Sequence, residues 1–344
     1  MSRVLFRTLR LLLTLLAAIG SCPFAHAQAK VVMAYFEIGN SNHSLHKFSS
    51  YLNQIPTDTF AIGAKGVVSG TPPVADLAFA RSKGMQTFAT VSNFGRTGFV
   101  PGIAVAILNN PSNRARAIQN MLAVVQKYAY TGSNVDFEAV PPRERAAFSE
   151  FIAELAQAMR SAGYLTMVSV PAELQDDPND SWAGAFDFAA LAPNVDILQL
   201  MTYDENGPWG PPGPVAGLDW VAPCAQYAAS VVPANKISLG IPAYGYDWDL
   251  TRGTGVQVYW ERIPFLIAKV GAMPQWDAAS SSPYFTYTST NGSNHVVWYE
   301  DTRSVPLKSA LTVTYNLAGV SVFALGFEDA TFWPAVISGF NGKP

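Results

Sequence analysis

Three polar side chains alternate with two apolar ones between residues 134 and 138. Asn134, Asp136 and Glu138 are separated by Val135 and Phe137. Residues two apart in a β-strand point to the same side, so the three polar groups would share one face. A glutamate that is crowded by a second carboxylate in a partly desolvated site keeps its proton near neutral pH and can donate it to a glycosidic oxygen. The spacing therefore predicts acid catalysis by Glu138.

The position of Asp136 restricts the mechanism of such a glycosidase. Most retaining glycosidases hold a second carboxylate on the opposite face of the sugar, whereas Asp136 would lie on the same side as Glu138. The alternative route is attack by the substrate's own 2-acetamido oxygen, with Asp136 orienting the acetamide nitrogen, and it requires an N-acetylated sugar. From the spacing alone, a solvated strand end or an ion-pair network explains the two carboxylates equally well.

The segments around these residues predict the scaffold that would position them. Strand-like runs alternate with helical stretches, which is the order of an α/β protein with a (β/α)8 TIM barrel. Glu138 would lie near the C-terminal end of the fourth strand, where barrels of this type carry their active sites. The predicted strands are residues 31–37, part of 59–68, 85–92, 134–140, 165–170, 195–203, 236–241 and 320–325.

Roughly 70 residues separate the seventh and eighth predicted strands, too many for a simple loop. This segment contains a helical stretch at 261–270 and two strand-like runs, 284–288 and 295–299, joined by a hairpin around Asn291-Gly292. We therefore predict one catalytic domain over residues 28–344, with a small α+β insertion at about 249–303 between strands seven and eight.

Residues 1–27 are typical of a secretory signal peptide, so we expect export to the periplasm, the cell envelope or the extracellular space. The signal consists of Arg3, Arg7 and Arg10, an apolar run over 11–19, and a cleavage site at Ala25-His26-Ala27. A lipoprotein anchored through Cys22 is the alternative, and Pro23 and the Ala-His-Ala site argue against it. No later stretch has the roughly 18 to 20 apolar residues that a transmembrane helix needs.

Composition argues against several classes of partner. The net charge is −3 and no basic cluster occurs, so neither nucleic acid nor an anionic membrane is expected to bind. Eight Trp and fourteen Tyr suit sugar stacking, but they also suit an ordinary core. His43 and His46 lack a third ligand, so no metal site is predicted. No cofactor is expected, and the protein is expected to be a monomer.

The segment that ends at Glu138 resembles the fourth-strand signature of glycoside hydrolase family 18, the chitinase family, written D-G-x-D-x-D-x-E. Gly132, Asp136 and Glu138 match it, whereas Asn134 replaces the middle aspartate and Thr131 replaces the first. Asn at that position is found in the spore-cortex and peptidoglycan-acting branch of the family. Further segments similar to this branch run through nearly the whole mature chain: 200–204, 210–214, 240–248, 283–287, 297–301 and 325–329.

This resemblance implies roles for residues on other strands. Residues 200–204 look like the family's M-x-Y-D element, so Tyr203 would bond the acetamido carbonyl and Asp204 would contact the sugar. Phe323 stands where the family carries a tryptophan beneath the reacting sugar, which implies weaker or altered sugar binding. Tyr246 stands where chitinases proper usually carry arginine. The predicted catalytic residues are Glu138, Asp136 and Tyr203, and the predicted substrate-binding residues are Asn134, Met201, Asp204, Tyr35, Asn93, Tyr244 and Phe323.

Some of these residues have a structural alternative. Asn93 could cap or stabilise a turn, and Tyr35 and Tyr244 could belong to the core. Trp209 and Trp248 are either stacking platforms or packing residues. The favoured function is an exported, retaining hydrolase of β-linked N-acetylglucosamine polymers, peptidoglycan or chitin-like. The alternative is a chitinase-like lectin, although such lectins typically lack the acid, and here both carboxylates are present.

Overall fold

The computed structural model describes residues 30–37 and 39–341. The predicted signal peptide and Cys22 lie outside these residues. Within the described part of the chain, no helix is both long and apolar enough to cross a membrane.

Eight parallel strands close into a (β/α)8 barrel, which confirms the predicted fold. The strands of the described chain, β1 to β14 in order, are Val31–Ala34, Gln54–Ile62, Val68–Gly70, Gln86–Ser92, Gly132–Asp136, Leu165–Pro171, Ile197–Met201, Ile237–Pro242, Tyr244–Asp249, Thr254–Tyr259, Gln275–Asp277, Ser282–Thr288, Asn294–Trp298 and Gly319–Phe323. Strands β1, β2, β4, β5, β6, β7, β8 and β14 form the barrel, and β14 pairs with β1 to close it.

Helices cover the outside of the barrel. In chain order, α1 to α10 are Ser41–Phe48, Val74–Ser82, Pro101–Leu108, Pro111–Tyr128, Arg145–Ser161, Phe188–Leu191, Leu218–Val231, Ile263–Val270, Ser304–Thr314 and Phe332–Phe340. Helix α4 begins at an asparagine cap: Asn110 Oδ1 accepts the backbone N–H groups of Ser112 and Asn113. Helix α5 buries an apolar stripe in the main core: Phe148, Phe151, Ile152, Leu155 and Met159.

Strand β2 differs from the prediction, which placed the second strand within residues 59–68. It covers Gln54–Ile62, and the later residues Val68–Gly70 form β3, which pairs antiparallel with it. The first half of β2 was missed because it contains Pro56 and the polar residues Thr57 and Asp58, which do not look like a buried strand. In the barrel, the Thr57 hydroxyl lies 2.7 Å from the hydroxyl of Tyr130, and Asp58 lines a cavity.

A separate antiparallel sheet lies between β8 and β14, in the strand order β10-β9-β13-β12-β11. It begins at Tyr244, before the predicted limit of about 249, and only residue 243 separates it from β8. Strands β12 and β13 form the hairpin expected around Asn291-Gly292, where Gly292 adopts a φ of +86°. Helix α8 packs its apolar side against Phe285 and Val297 of this sheet.

A buried ion pair fastens the end of this insertion to the barrel. Lys308 Nζ on α9 lies 2.7 Å from Glu300 Oε2, and neither side chain is exposed. Ser304 Oγ donates a second hydrogen bond to the same oxygen at 2.5 Å. Removal of one charge would leave the other buried and unpaired, which typically destabilises a protein by about 3–5 kcal/mol.

Candidate active site

Glu138 lies just beyond the end of β5. This strand can approach β6 closely because residue 132 is glycine, since a Cβ there would come within 2.3 Å of the Leu165 carbonyl oxygen. Phe137 turns away from the barrel interior and stacks on Phe151, with ring centres 5.6 Å apart. Asp136 and Glu138 both line one cavity at the C-terminal mouth of the barrel. The alternation in the sequence therefore places both carboxylates on one side of the strand.

Asn93, which follows β4, holds the backbone of Glu138. Its Nδ2 donates to the Glu138 carbonyl oxygen at 2.9 Å, and its Oδ1 accepts the Glu138 backbone N–H at 2.9 Å. Nδ2 also donates to the carbonyl oxygen of Val100 at 3.3 Å, and the side chain is fully buried. The predicted contact of Asn93 with substrate is thus corrected: its amide is occupied by backbone groups, and Asn93 positions Glu138.

Asn134 lies below the cavity, in a buried layer of hydrogen bonds that fills the barrel. Its Nδ2 donates to Ser169 Oγ at 3.0 Å and to the Tyr35 hydroxyl at 3.2 Å. Across the barrel, Gln199 Nε2 donates to Ser321 Oγ at 3.0 Å. Asn134 has no exposed surface, so the predicted substrate contact is corrected here too. Tyr35 and Ser169 lie above it and line the cavity.

Burial and mutual repulsion raise the pKa of the two carboxyl groups. The pKa of Glu138 rises to about 8, first because the group is buried and then because of the nearby charges of Asp204 and Asp58. The pKa of Asp136 lies well above its usual value, owing to burial and then to Glu138 and Asp58. A carboxyl group with a pKa of about 8 keeps its proton at neutral pH and can act as an acid.

Asp204 follows β7 and is held by two tyrosines of the insertion. The Tyr244 and Tyr246 hydroxyls donate to its Oδ1 at 2.6 and 2.8 Å. Its backbone adopts a left-handed φ of +61°, and the residue lines the cavity. Both of these hydrogen bonds end on Oδ1. Tyr246 was missed as a site residue, although its departure from the family pattern was visible in the sequence.

Tyr203, Met201 and Phe323 complete the surroundings of the carboxylates. The ring centres of Tyr203 and Tyr35 each lie 5.9 Å from that of Phe323. Burial, followed by the nearby Tyr35 and Asp136, raises the pKa of Tyr203 well above its usual value, so its hydroxyl stays a donor. The peptide bond between Phe323 and Ala324 is cis.

Two cavities meet at Glu138. The first, the acidic lobe, has a volume of about 650 Å³ and is lined by residues that include Glu37, Asp58, Asp136, Tyr35, Tyr244 and Phe323. The second, the aromatic lobe, has a volume of about 710 Å³ and is lined by residues that include Trp182, Trp209, Trp220 and Pro171. Both lobes share Phe99, Glu138, Met201, Tyr203 and Asp204.

The sequence does not decide whether Trp209 and Trp248 stack on a sugar or pack in the core, and the two residues differ in their surroundings. Trp209 is 70% exposed on the wall of the aromatic lobe, where a ring can stack on a sugar. Trp248 is buried and donates its Nε1–H to the Gly210 carbonyl oxygen at 3.3 Å, so it is a packing residue. Trp182, which is 49% exposed in the same lobe, was missed, because no spacing in the sequence separates it from core tryptophans.

Glu37 and Asp58 were also missed as site residues. Glu37 lies three residues after the end of β1 and two residues after Tyr35, so the alternation that revealed Glu138 was present there too. Asp58 was hidden by the misplaced start of the second strand.

Within residues 30–37 and 39–341, no group of three or more His, Cys, Asp or Glu side chains could hold a metal ion. His46 instead stacks on Phe79 with ring centres 3.8 Å apart, and its Nε2 lies 3.4 Å from Asp76 Oδ1.

A parallel eight-stranded barrel with buried carboxyl groups and exposed aromatic rings at its C-terminal mouth has the groups that a barrel glycosidase requires. The model of the family described as "Glycosyl hydrolases family 18" matches residues 26–328. The chain therefore belongs to glycosyl hydrolase family 18 and is a glycosidase, as the strand motifs predict.

Similar proteins agree with this assignment. The uncharacterized glycosylase YvbX of Bacillus subtilis (strain 168) is 40% identical over 302 residues, which cover 87% of this chain and 88% of the relative. The cortical fragment-lytic enzyme of the same organism is 27% identical over 307 residues, covering 88% of this chain and 71% of the relative. The crystal structure of a chitinase from Chromobacterium violaceum ATCC 12472 superimposes with a TM-score of 0.86 at 39% identity, covering 91% of this chain and 99% of that one.

Proposed function

We propose that this glycosidase hydrolyses β-linked polymers that contain N-acetylglucosamine, peptidoglycan or chitin-like, with retention of configuration and with help from the substrate's acetamido group. The observation that carries the proposal is the placement of Glu138 and Asp136 on one wall of one cavity, with Tyr203 and Phe323 beside them. The names of a cortical fragment-lytic enzyme and a chitinase among its relatives support this class of substrate.

In the first step, the Glu138 carboxyl group donates its proton to the glycosidic oxygen as the bond from that oxygen to the anomeric carbon breaks. The acetamido oxygen of the same sugar forms a bond to the anomeric carbon from the other face. Asp136 accepts the acetamide N–H and orients the group, and the Tyr203 hydroxyl donates to its oxygen. The raised pKa of Glu138, about 8, suits the donor role.

In the second step, water attacks the anomeric carbon and gives its proton to the Glu138 carboxylate, which restores the acid. The bond to the acetamido oxygen breaks as the new one forms. Two inversions at one carbon leave the configuration retained. We further propose that the protein is exported through its N-terminal segment, for which the sequence of residues 1–27 is the support.

Digestion of purified peptidoglycan and of chitin oligosaccharides, in parallel, tests the proposal. We expect new reducing ends from at least one polymer, and NMR of the first products should show the β-anomer before mutarotation. Mass spectrometry of the fragments would identify both the bond and the sugar. Oligosaccharide binding without release of reducing ends would contradict the proposal and favour a lectin, and release of the α-anomer would contradict the retaining mechanism.

A further inference from the structure

The exposed Trp182 of the aromatic lobe lies on the loop that joins β6 to α6, residues 172–187. Asp180 Oδ1 accepts the Trp182 backbone N–H at 2.8 Å, and the Gly184 N–H donates to the Asp180 carbonyl oxygen at 3.0 Å. These bonds fold the middle of the loop into a tight turn. Because the side chain of Trp182 is 49% exposed, its position depends on the turn that carries it.

Arg145, the first residue of α5, joins the two ends of this turn. Its Nη2 lies 2.6 Å from Asp176 Oδ1, before the turn, and 3.2 Å from Asp187 Oδ2, after it. Its Nη1 donates to the carbonyl oxygen of Gly184, the last residue of the turn, at 3.0 Å. The side chain of Arg145 is only 16% exposed. One planar guanidinium group therefore connects the segments on both sides of the turn to α5.

The loop is acidic, so the charge of Arg145 matters as well as its hydrogen bonds. Residues 172–187 include no basic side chain and five acidic ones: Glu173, Asp176, Asp177, Asp180 and Asp187. Burial raises the pKa of Glu173 to about 8; the nearby charge of Arg145 opposes this rise, and the charges of Asp176, Asp180 and Asp187 add to it. Without the cation, these like charges would repel one another and loosen the loop.

We propose that Arg145 is a positioning residue for the substrate: it holds the turn so that the Trp182 ring forms a fixed wall of the aromatic lobe. This inference rests on the proposed function, because the ring would contact the polymer that Glu138 cleaves. Arg145 itself lies outside both lobes, so it acts through Trp182. A turn that is already ordered does not have to be ordered by each incoming glycan, so its loss should weaken substrate binding and leave the chemical step intact.

The kinetics of hydrolysis of chitin oligosaccharides measure this effect, with peptide-free peptidoglycan strands as the second substrate. Trp182→Ala should raise KM about three- to tenfold, because it removes one aromatic contact. Arg145→Gln removes the charge and the fork of donors, and KM should rise about three- to fivefold, since the ring remains but is no longer held. In both variants kcat should stay within about twofold of the value for the unmodified enzyme.

The double variant shows whether Arg145 acts through Trp182. If it does, Arg145→Gln should change KM by less than about 1.5-fold once residue 182 is alanine, because the two effects share one cause. A purely structural role for Arg145 would give independent effects, and the two increases in KM would then multiply. That result would contradict the inference.

Arg114→Gln is the matched control, because Arg114 makes the same kinds of contact away from the cleft. Its guanidinium group lies 3.0 Å from a carboxylate oxygen of Glu150 and of Glu154 and donates to the Leu108 carbonyl oxygen at 3.3 Å. The side chain of Arg114 is 14% exposed, and that of Glu150, on α5, is 59% exposed. Arg114→Gln should lower the midpoint of thermal unfolding about as much as Arg145→Gln does, but it should leave KM unchanged.

Hydrogen–deuterium exchange tests the same contacts without a substrate. The backbone amides of residues 177–184 should exchange about tenfold faster in Arg145→Gln than in the unmodified enzyme, and at the unmodified rate in Arg114→Gln. Unchanged exchange in Arg145→Gln, or faster exchange with an unchanged KM, would overturn the inference and leave the proposed function standing. No release of reducing ends from either substrate by the unmodified enzyme would instead overturn the proposed function, and with it the role of Arg145 in substrate binding.

Discussion

The two lobes that meet at Glu138 offer a glycan different kinds of contact. The acidic lobe presents carboxyl groups from β2, from β5 and from the segment after β1, whereas the aromatic lobe presents indole rings such as Trp182 and Trp209. The first can distinguish sugars by charge and by their acetamido group, and the second by the apolar face of a ring. The difference predicts that pH and salt act through one lobe and that ring area acts through the other.

The largest effect is expected where the lobes join. Glu138→Gln removes the acid but keeps the size of the side chain, so kcat should fall about a thousandfold while oligosaccharide affinity changes little. Release of reducing ends measures the first quantity and calorimetric titration the second. Glu150→Gln should behave as the unmodified enzyme does. Comparable hydrolysis by the Glu138 variant would remove this residue from the mechanism and leave the two lobes without a shared catalytic group.

The pH dependence tests the acidic side of the comparison. The pKa of Glu138 is raised to about 8, and the acid works only when protonated, so kcat should be maintained at neutral pH and fall above pH 8 by about tenfold per pH unit. Trp209→Ala should show the same fall in kcat above pH 8, because the Trp209 ring carries no titrating group. The ordinary pKa of a glutamate side chain is 4.5. A fall in kcat that begins near this pH would show that the cleft does not raise the pKa of Glu138.

The aromatic side is tested by the size of an exposed ring. Trp209→Ala should raise KM about three- to tenfold with kcat within about twofold, since an aromatic contact contributes about 0.5–1.5 kcal/mol. Trp209→Phe keeps a smaller ring, so its KM should lie between the KM of the unmodified enzyme and that of Trp209→Ala. The change in KM should not depend on salt. A strong salt dependence would mean that both lobes recognise charge, and the contrast between them would then be lost.

The smallest effect is expected at Asp204, which lines both lobes. Tyr246→Phe removes one of the two hydrogen bonds to its Oδ1, and KM should rise about threefold, to the same extent for charged and neutral oligosaccharides. Tyr287→Phe is the matched control, because the Tyr287 hydroxyl bonds Asp247 within the insertion. An increase in KM for only the charged or only the neutral oligosaccharides would show that Asp204 acts in a single lobe.

The fold was predictable because barrel strands are short apolar runs separated by helices with clear caps, such as the one that Asn110 begins. The prediction of the start of β2 was wrong because this part of the strand is polar. Side chains that face an active site inside a barrel are often polar, whereas a buried strand is usually recognised by its apolar residues. The misplaced strand then concealed Asp58. The spacing of polar residues can therefore locate a functional strand. The bounds of a strand are predicted wrongly where the active site replaces its apolar residues with polar ones.

The roles of individual amides and indoles could not be predicted in the same way. Asn93 directly follows β4 and Asn134 lies on β5, yet one bonds the backbone of Glu138 and the other a buried serine. Trp209 and Trp248 are the same residue type, and only the packing of the insertion exposes one and buries the other. Such roles depend on tertiary neighbours that are distant in the sequence.

The insertion that supplies Tyr244 and Tyr246 follows β8 after one residue and is tied back to the barrel by the buried pair of Lys308 and Glu300. One wall of the cleft is thus assembled when the chain folds and does not have to be arranged around each incoming glycan. The conformational entropy of that wall is lost once, during folding, and it does not weaken every binding event. This wall of the groove is therefore preorganised before a glycan binds.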